Sequence, residues 1–287
     1  MQVVYTIKDV HHTLRKIRRV GKTIGLVPTM GALHAGHGSL IEAAVKGCDY
    51  VVVTIFVNPT QFGPGEDLEK YPRTLETDSS FCEELGADLV FAPSADEMYP
   101  EEQLTWVEVE KLTEGLCGAN RPRHFRGVTT VCVKLFNIIQ PDIAYFGQKD
   151  AQQAAVIRRM VSDLNLPLQI CICPIVREAD GLAMSSRNQY LSSDERKRAL
   201  CLYKSLKVCR EKVTDGQRAA NTLIDTIRDI IGQDQGQIDY ISIVDPETLE
   251  PLKTVTDRAL VALAVHIGPT RLIDNILIDL KNSSKIV

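Results

Sequence analysis

Thr23-Ile24-Gly25-Leu26-Val27-Pro28-Thr29-Met30-Gly31-Ala32-Leu33-His34-Ala35-Gly36-His37 is the stretch on which the fold turns. Its first five residues read as a short buried strand, and Ser39, Leu40, Ala43 and Ala44 continue beyond it as a helix with one apolar face. A helix start of this kind carries free backbone N–H groups at the positive end of its dipole, and these attract anions. His34 and His37 lie on the same face and add donors able to follow negative charge as it builds on a phosphate. Two other readings stay open for the pair. They could be ordinary turn residues, as a second pair, His11 and His12, could be. They could also bind zinc, but no Cys or carboxylate accompanies them to complete a ligand set.

Working outward, further β-branched runs recur at Tyr50 to Val57, Asp88 to Phe91, Asp142 to Phe146 and Leu168 to Ile175. Between them Thr74 to Leu85, Val128 to Ile139 and Ala151 to Leu164 have helical spacing. The alternation predicts an α/β fold, a Rossmann-like parallel sheet with crossover helices, whose ligands gather at the carboxyl ends of the strands. After residue 175 the polar segment Arg177-Glu178-Ala179-Asp180-Gly181 changes the texture and sets a domain boundary, giving domains 1–175 and 176–287. The second is read as a smaller α+β domain. Ser192 and Glu195 form a capping box for a helix to about Val213, and Ala220, Leu223, Ile224, Ile227 and Ile231 share one face of another. Strands follow at Ile238 to Val244, Leu260 to Ile267 and Leu272 to Leu280.

The 287 residues carry a formal net charge of -4, which argues against a broad nucleic-acid footprint but leaves room for a local anion site. Eight cysteines are scattered through apolar stretches and read as reduced core residues. With no apolar run long enough to span a bilayer and no leader pattern in Met1 to Val20, the expectation is a cytoplasmic protein without a membrane partner. There is no G-x-x-x-x-G-K-[ST] loop, no G-x-G-x-x-G turn after a strand and no G-x-S-x-G elbow.

Three further segments offer polar groups at strand ends. Asn58 and Gln61 close the second long run and could grip a hydroxy acid. Phe146-Gly147-Gln148-Lys149-Asp150 opens the helix containing Gln152 and Gln153, and Lys149 would act as a point charge on phosphate. Ala183-Met184-Ser185-Ser186-Arg187 adds two hydroxyls and a guanidinium on a segment expected to be mobile. Asp78 and the run Glu66, Asp67, Glu69 could hold a metal or simply be solvated.

Taken together, Pro28 to Gly31 with His34 and His37, Phe56 to Phe62, Tyr71 to Thr74, His124 to Val128, Phe146 to Asp150 and Met184 to Arg187 closely resemble the pantothenate synthetase (pantoate-beta-alanine ligase) family from about residue 20 onward. The first and last sets also look like the HxGH and KMSKS-type signatures of the wider nucleotidyltransferase superfamily. The resemblance implies that ATP and pantoate give pantoyl adenylate and pyrophosphate, and that beta-alanine then displaces AMP to form pantothenate. It implies an ATP site lined by Met30, Gly31, Ala32, Leu33, His34, Ala35, Gly36 and His37, with His37 the proton donor and His34 its companion. Gly147, Gln148, Lys149, Asp150, Val176, Met184, Ser185, Ser186 and Arg187 would complete that site, with the smaller domain closing over it. Gln61 and Gln153, helped by Asn58, would hold pantoate. Magnesium would ride on the ATP phosphates with no protein ligand named, and the protein would be a homodimer.

Thr60, Gln148 and Ala151 depart from residues common in the family. Thr60 would loosen the apolar wall near pantoate and Ala151 would enlarge the pocket. The rivals are another adenylate-forming enzyme, such as an aminoacyl-tRNA synthetase, and an inactive nucleotide-binding protein. The acidic balance speaks against the first, and the complete donor set against the second.

Overall fold

A computed structural model describes residues 1–66 and 68–281. The chain divides into two compact units. The first comprises Met1–Glu114, Gly118–Gly147 and Val156–Cys173; the second comprises Gly115–Cys117, Gln148–Ala155 and the chain from Pro174 onward.

In the first unit β1 (Gln2–Val4), β2 (Ile24–Thr29), β3 (Tyr50–Ile55), β4 (Leu89–Phe91), β5 (Ile143–Gly147) and β6 (Gln169–Cys173) form one sheet in the order β1-β4-β3-β2-β5-β6. Every pairing is parallel. Helices cover both faces, which is why the strands read as continuous apolar runs rather than alternating ones. Leu26, Val52, Leu89, Phe91, Ala144 and Phe146 pack on one side with Leu135, Phe136 and Ile139 of the His124–Ile139 helix. Val27, Val51, Val53, Val90 and Tyr145 pack on the other with Leu40, Ile41 and Ala44 of the Ala35–Gly47 helix. Strand order reverses between β2 and β5, so the turn after Thr29 leaves the sheet at its switch point, where ligands of open α/β sheets bind.

β1 and the Ile7–Arg19 helix have no counterpart in the sequence reading. His11 and His12 lie on that helix's exposed face.

The second unit holds an antiparallel sheet in the order β7 (Gln237–Val244), β8 (Arg258–Ile267), β9 (Thr270–Asp279). Ile267 pairs with Thr270 across the two-residue turn Gly268-Pro269, with Gly268 at φ 58°. The Cys201–Thr214 and Ala220–Gln233 helices bury Leu202, Leu206, Leu223, Ile227 and Ile231 against Val261, Leu263 and Val265. The Ser192–Glu195 capping box is present, but its helix runs only over Ser193–Arg198. Leu200 and Leu202 donate to the carbonyls three residues back, and this tighter turn interrupts the expected continuous helix.

All eight cysteines are free thiols, and burial pushes Cys82, Cys132, Cys173, Cys201 and Cys209 up to about 12. Such thiols stay protonated and serve as packing groups. Among the described residues no helix is long and apolar enough to cross a membrane.

Candidate active site

The turn after β2 is built almost wholly from side-chain acceptors. The Gly31 amide donates to Thr29 Oγ1 at 3.2 Å, those of Ala32 and Leu33 to the two carboxylate oxygens of Asp78 at 2.9 Å each, and that of His34 to His37 Nδ1 at 3.3 Å. Gly36 donates in turn to His34 Nδ1 at 3.1 Å. Gly31 (φ 86°) and Ala32 (φ 51°) are both left-handed, a conformation that costs energy for alanine and is held here by the Asp78 grip.

His34 is the N-cap of the Ala35–Gly47 helix and His37 its third residue, a reciprocal capping box made of imidazoles, with the rings 4.2 Å apart. The backbone amides from Gly31 to His34, and that of Gly36, are thus spent within the protein. From sequence, those N–H groups are expected to attract the anion; in the structure these amides already have acceptors within the protein. An Nδ1 that accepts a hydrogen bond carries no proton, so each neutral ring holds its proton on Nε2, as a donor.

Asp78 is buried, and it also accepts from Thr74 Oγ1 at 3.1 Å. It is a backbone brace rather than the metal ligand or solvated acid considered from sequence. Among the described residues no group of three His, Cys, Asp or Glu is arranged to hold a metal ion, and Asp67 lies outside those residues. Asp78→Asn would keep one acceptor and turn an NH2 toward the second amide. We expect it to destabilise the protein by about 2 kcal/mol, read as a lowered melting temperature, together with a reduced kcat. An unchanged melting curve would rule out the brace.

Beyond β3, Asn58 is buried and every polar atom of its side chain is engaged. Its Nδ2 donates to Gln61 Oε1 and to the Gly127 carbonyl at 3.2 Å each, while Oδ1 accepts from Tyr99 and Thr60 hydroxyls at 2.9 Å each. Asn58 therefore holds the Pro59–Gln61 turn in place, and Gln61 Nε2 reaches Met30 Sδ at 2.8 Å. His124 Nδ1 sits 2.9 Å from the Gln61 carbonyl, which makes it a donor. Gly127 is required here, because a Cβ at that position would lie 2.5 Å from the Thr60 carbonyl oxygen. Met30, His34, His37, Asn58 and Gln61 are thus gathered around the carboxyl ends of β2 and β3. Tyr99, His124, Gly127 and Asp78 support them; His124 and Gly127 fall in a stretch that carries the family resemblance, but nothing in the sequence shows which backbone or side chain any of the four holds.

In the second unit the Gln148–Asp150 turn leads directly into the Ala151–Asp163 helix. Lys149 Nζ lies 4.0 Å from Asp150 Oδ2. Gln152 is spent on the Gly115 carbonyl and the Cys117 amide, whereas Gln153 is half-buried. Val176 and Met184 face each other across a tight hairpin, with the Met184 amide donating to the Val176 carbonyl at 3.0 Å. Ser185 Oγ then caps the Ser186–Tyr190 turn by accepting from the Arg187 amide at 3.2 Å. Asn188 ties the segment to Glu178 at 2.8 Å and to the Ala183 carbonyl at 3.1 Å. The segment expected to be mobile is anchored on both sides.

The family model described as pantoate-beta-alanine ligase matches residues 2–277. The chain belongs to the pantoate-beta-alanine ligase family. A pantothenate synthetase of Thermoanaerobacter sp. (strain X514) is 57% identical over 278 residues, covering 96% of this chain and 98% of that relative. Another, from Geobacter sulfurreducens, is 56% identical over 276 residues with the same two coverages. Among solved structures, pantothenate synthetase from Thermus thermophilus is similar with a TM-score of 0.91 at 45% identity, covering 96% of this chain and 98% of that one. A Francisella tularensis pantoate-beta-alanine ligase, solved with beta-gamma ATP and beta-alanine, gives a TM-score of 0.79 at 35% identity over 96% and 97% of the two chains. This chain is accordingly an ATP-dependent ligase that forms pantothenate from pantoate and beta-alanine.

The ligase accommodates its three unusual residues locally. The Thr60 hydroxyl bonds Asn58, Gln148 Nε2 donates to Asn275 Oδ1 at 3.1 Å, and Ala151 packs against the cluster of Val244, Leu260 and Ala262.

Proposed function

We propose that the ligase works in two half-reactions on one site, without a covalent enzyme intermediate. A pantoate carboxylate oxygen attacks the α-phosphorus of ATP and pyrophosphate leaves. The beta-alanine amine then attacks the adenylate carbonyl, AMP leaves with its bridging oxygen, and the amine gives up a proton. The observation that carries this reading is the pair of imidazoles whose Nδ1 atoms are spent on backbone amides, so that donors on Nε2 are oriented by the fold before substrate arrives.

In this reading Met30 to His37 line the ATP site, with His37 the proton donor and His34 its partner on phosphate. Lys149, Ser185, Ser186 and Arg187 neutralise charge on the leaving pyrophosphate, and Gly147, Gln148, Asp150, Val176 and Met184 shape the rest of the nucleotide site. Gln61 and Gln153 hold pantoate, Gln61 also lying near beta-alanine. Asn58 acts through Gln61, because its own bonding capacity is filled. These donors suit phosphate oxygens rather than a divalent cation. Magnesium is therefore placed on the ATP phosphates, where it would offset charge on the departing pyrophosphate. We place the enzyme in the cytoplasm, in keeping with eight free thiols, and propose that it is a homodimer.

The test is a product assay with ATP, magnesium, pantoate and beta-alanine, each omitted in turn. AMP, pyrophosphate and pantothenate are expected together, with pyrophosphate still released in a single turnover when beta-alanine is left out. Appearance of ADP in place of AMP would overturn the adenylate route.

A further inference from the structure

β9 contains an anomaly. Its side chains alternate between the two faces of the sheet, and Leu272, Ile276 and Ile278 point into the core under the helices. The row they define also contains Asp274, and the next residue on the opposite face is Asn275; both are only 2% exposed. Neither is a natural occupant of a buried strand. Each has a partner that explains it.

Asp274 receives the Arg177 guanidinium through two hydrogen bonds of 2.6 and 2.9 Å. Arg177 stacks 3.9 Å over the Tyr203 ring and donates to the Gly181 carbonyl at 3.1 Å, which fixes the hairpin leading to Met184. Asn275 turns the other way. Its Nδ2 donates to two consecutive carbonyls, those of Gln148 and Lys149, at 3.0 Å each, and its Oδ1 accepts from Gln148 Nε2 at 3.1 Å. One amide side chain thereby fixes the backbone on both sides of the Lys149 Cα. A three-residue turn has few bonds of its own to set its geometry, so these contacts decide where the lysine stem starts.

We propose that Asn275 is the positioning residue for Lys149: it touches no substrate, and it acts on the reaction by fixing the turn from which the lysine projects. The proposal rests on the reading of Lys149 as a phosphate donor. A lysine that stabilises charge only as pyrophosphate departs contributes to kcat, and an error of about 1 Å in its origin can cost about 100-fold. Loss of Asn275 should therefore appear in kcat and leave the pantoate KM nearly unchanged.

A double-mutant cycle separates this role from a purely structural one. Asn275→Ala is expected to lower kcat about 10- to 100-fold, and Asn275→Ser, which retains one short donor, by less. In a Lys149→Ala background either change should have almost no further effect on pantothenate formation, followed by mass spectrometry over long incubations. If Asn275→Ala does not fold, the serine variant carries the same cycle. Losses that add in the double variant, or a parental kcat in Asn275→Ala and Asn275→Ser, would overturn the positioning role alone. An undiminished kcat in Lys149→Ala would instead overturn the reading of Lys149 itself, and the proposal with it.

Discussion

Replacing His37 with alanine is expected to lower kcat for pantothenate formation by about 100- to 1,000-fold, the cost of losing one donor aimed at developing charge. Alanine also removes the Nδ1 that accepts from the His34 amide, which would weaken the helix start by about 1 kcal/mol. The two effects can be separated. In His37→Asn, Oδ1 falls near the position of Nδ1 and can still take the His34 amide, but nothing replaces the Nε2 proton. His37→Asn should therefore melt close to the parent enzyme and yet lose about as much activity as His37→Ala. A near-parental kcat in His37→Asn would mean that the imidazole serves the helix and not the reaction. The same pair of substitutions at His34 asks whether its ring does more than cap, since asparagine is an excellent N-cap residue.

The sheet was legible because a parallel strand covered on both faces must be apolar at nearly every position, as β2, β3 and β5 are. β1 leaves no such mark because only Val4 of its three residues is buried, unlike the equally short β4, and the Ile7–Arg19 helix leaves little because only Val10 and Leu14 along it are buried. The residues proposed for catalysis that the sequence singles out are close neighbours along the chain: His34 with His37, Lys149 in its turn, and Ser185 to Arg187. What could not be read were the long-range bonds of their supports, even for His124, which stands in a motif the sequence does show. Asp78 reaches Leu33 across 45 residues, Tyr99 reaches Asn58 across 41, His124 reaches Gln61 across 63 and Asn275 reaches Lys149 across 126. Spacing carries no trace of such bonds, and an isolated Asp or Asn looks the same whether solvated or buried. Asn58 shows the converse. Its type and place suggested a substrate contact, but saturation of its side chain by protein partners assigns it to the turn beneath Gln61.

Asp274→Ala should destabilise the second unit by about 3–5 kcal/mol. Burial alone pushes the Asp274 carboxyl above the usual range, and the Arg177 bonds act in the opposite direction. Removing the carboxylate leaves a guanidinium, with a side chain only 17% exposed, facing the gap. The cost is dominated by that stranded charge rather than by the lost attraction. Replacing the pair together, Asp274→Leu with Arg177→Met, removes both charges and should restore most of the lost stability, because the introduced leucine would extend the apolar row of Leu272 and Ile276. Melting curves, with hydrogen exchange across β8 and β9, would read both results. Activity should not return with stability. The methionine cannot donate to the Gly181 carbonyl, so the hairpin that leads to Met184, Ser185, Ser186 and Arg187 loses one of its anchors while the sheet beneath it is whole. A double variant that regains stability and full kcat would show that the ion pair serves folding alone; one that regains stability without kcat would place Asp274 and Arg177 in the service of the groups proposed to handle phosphate, the role proposed for Asn275.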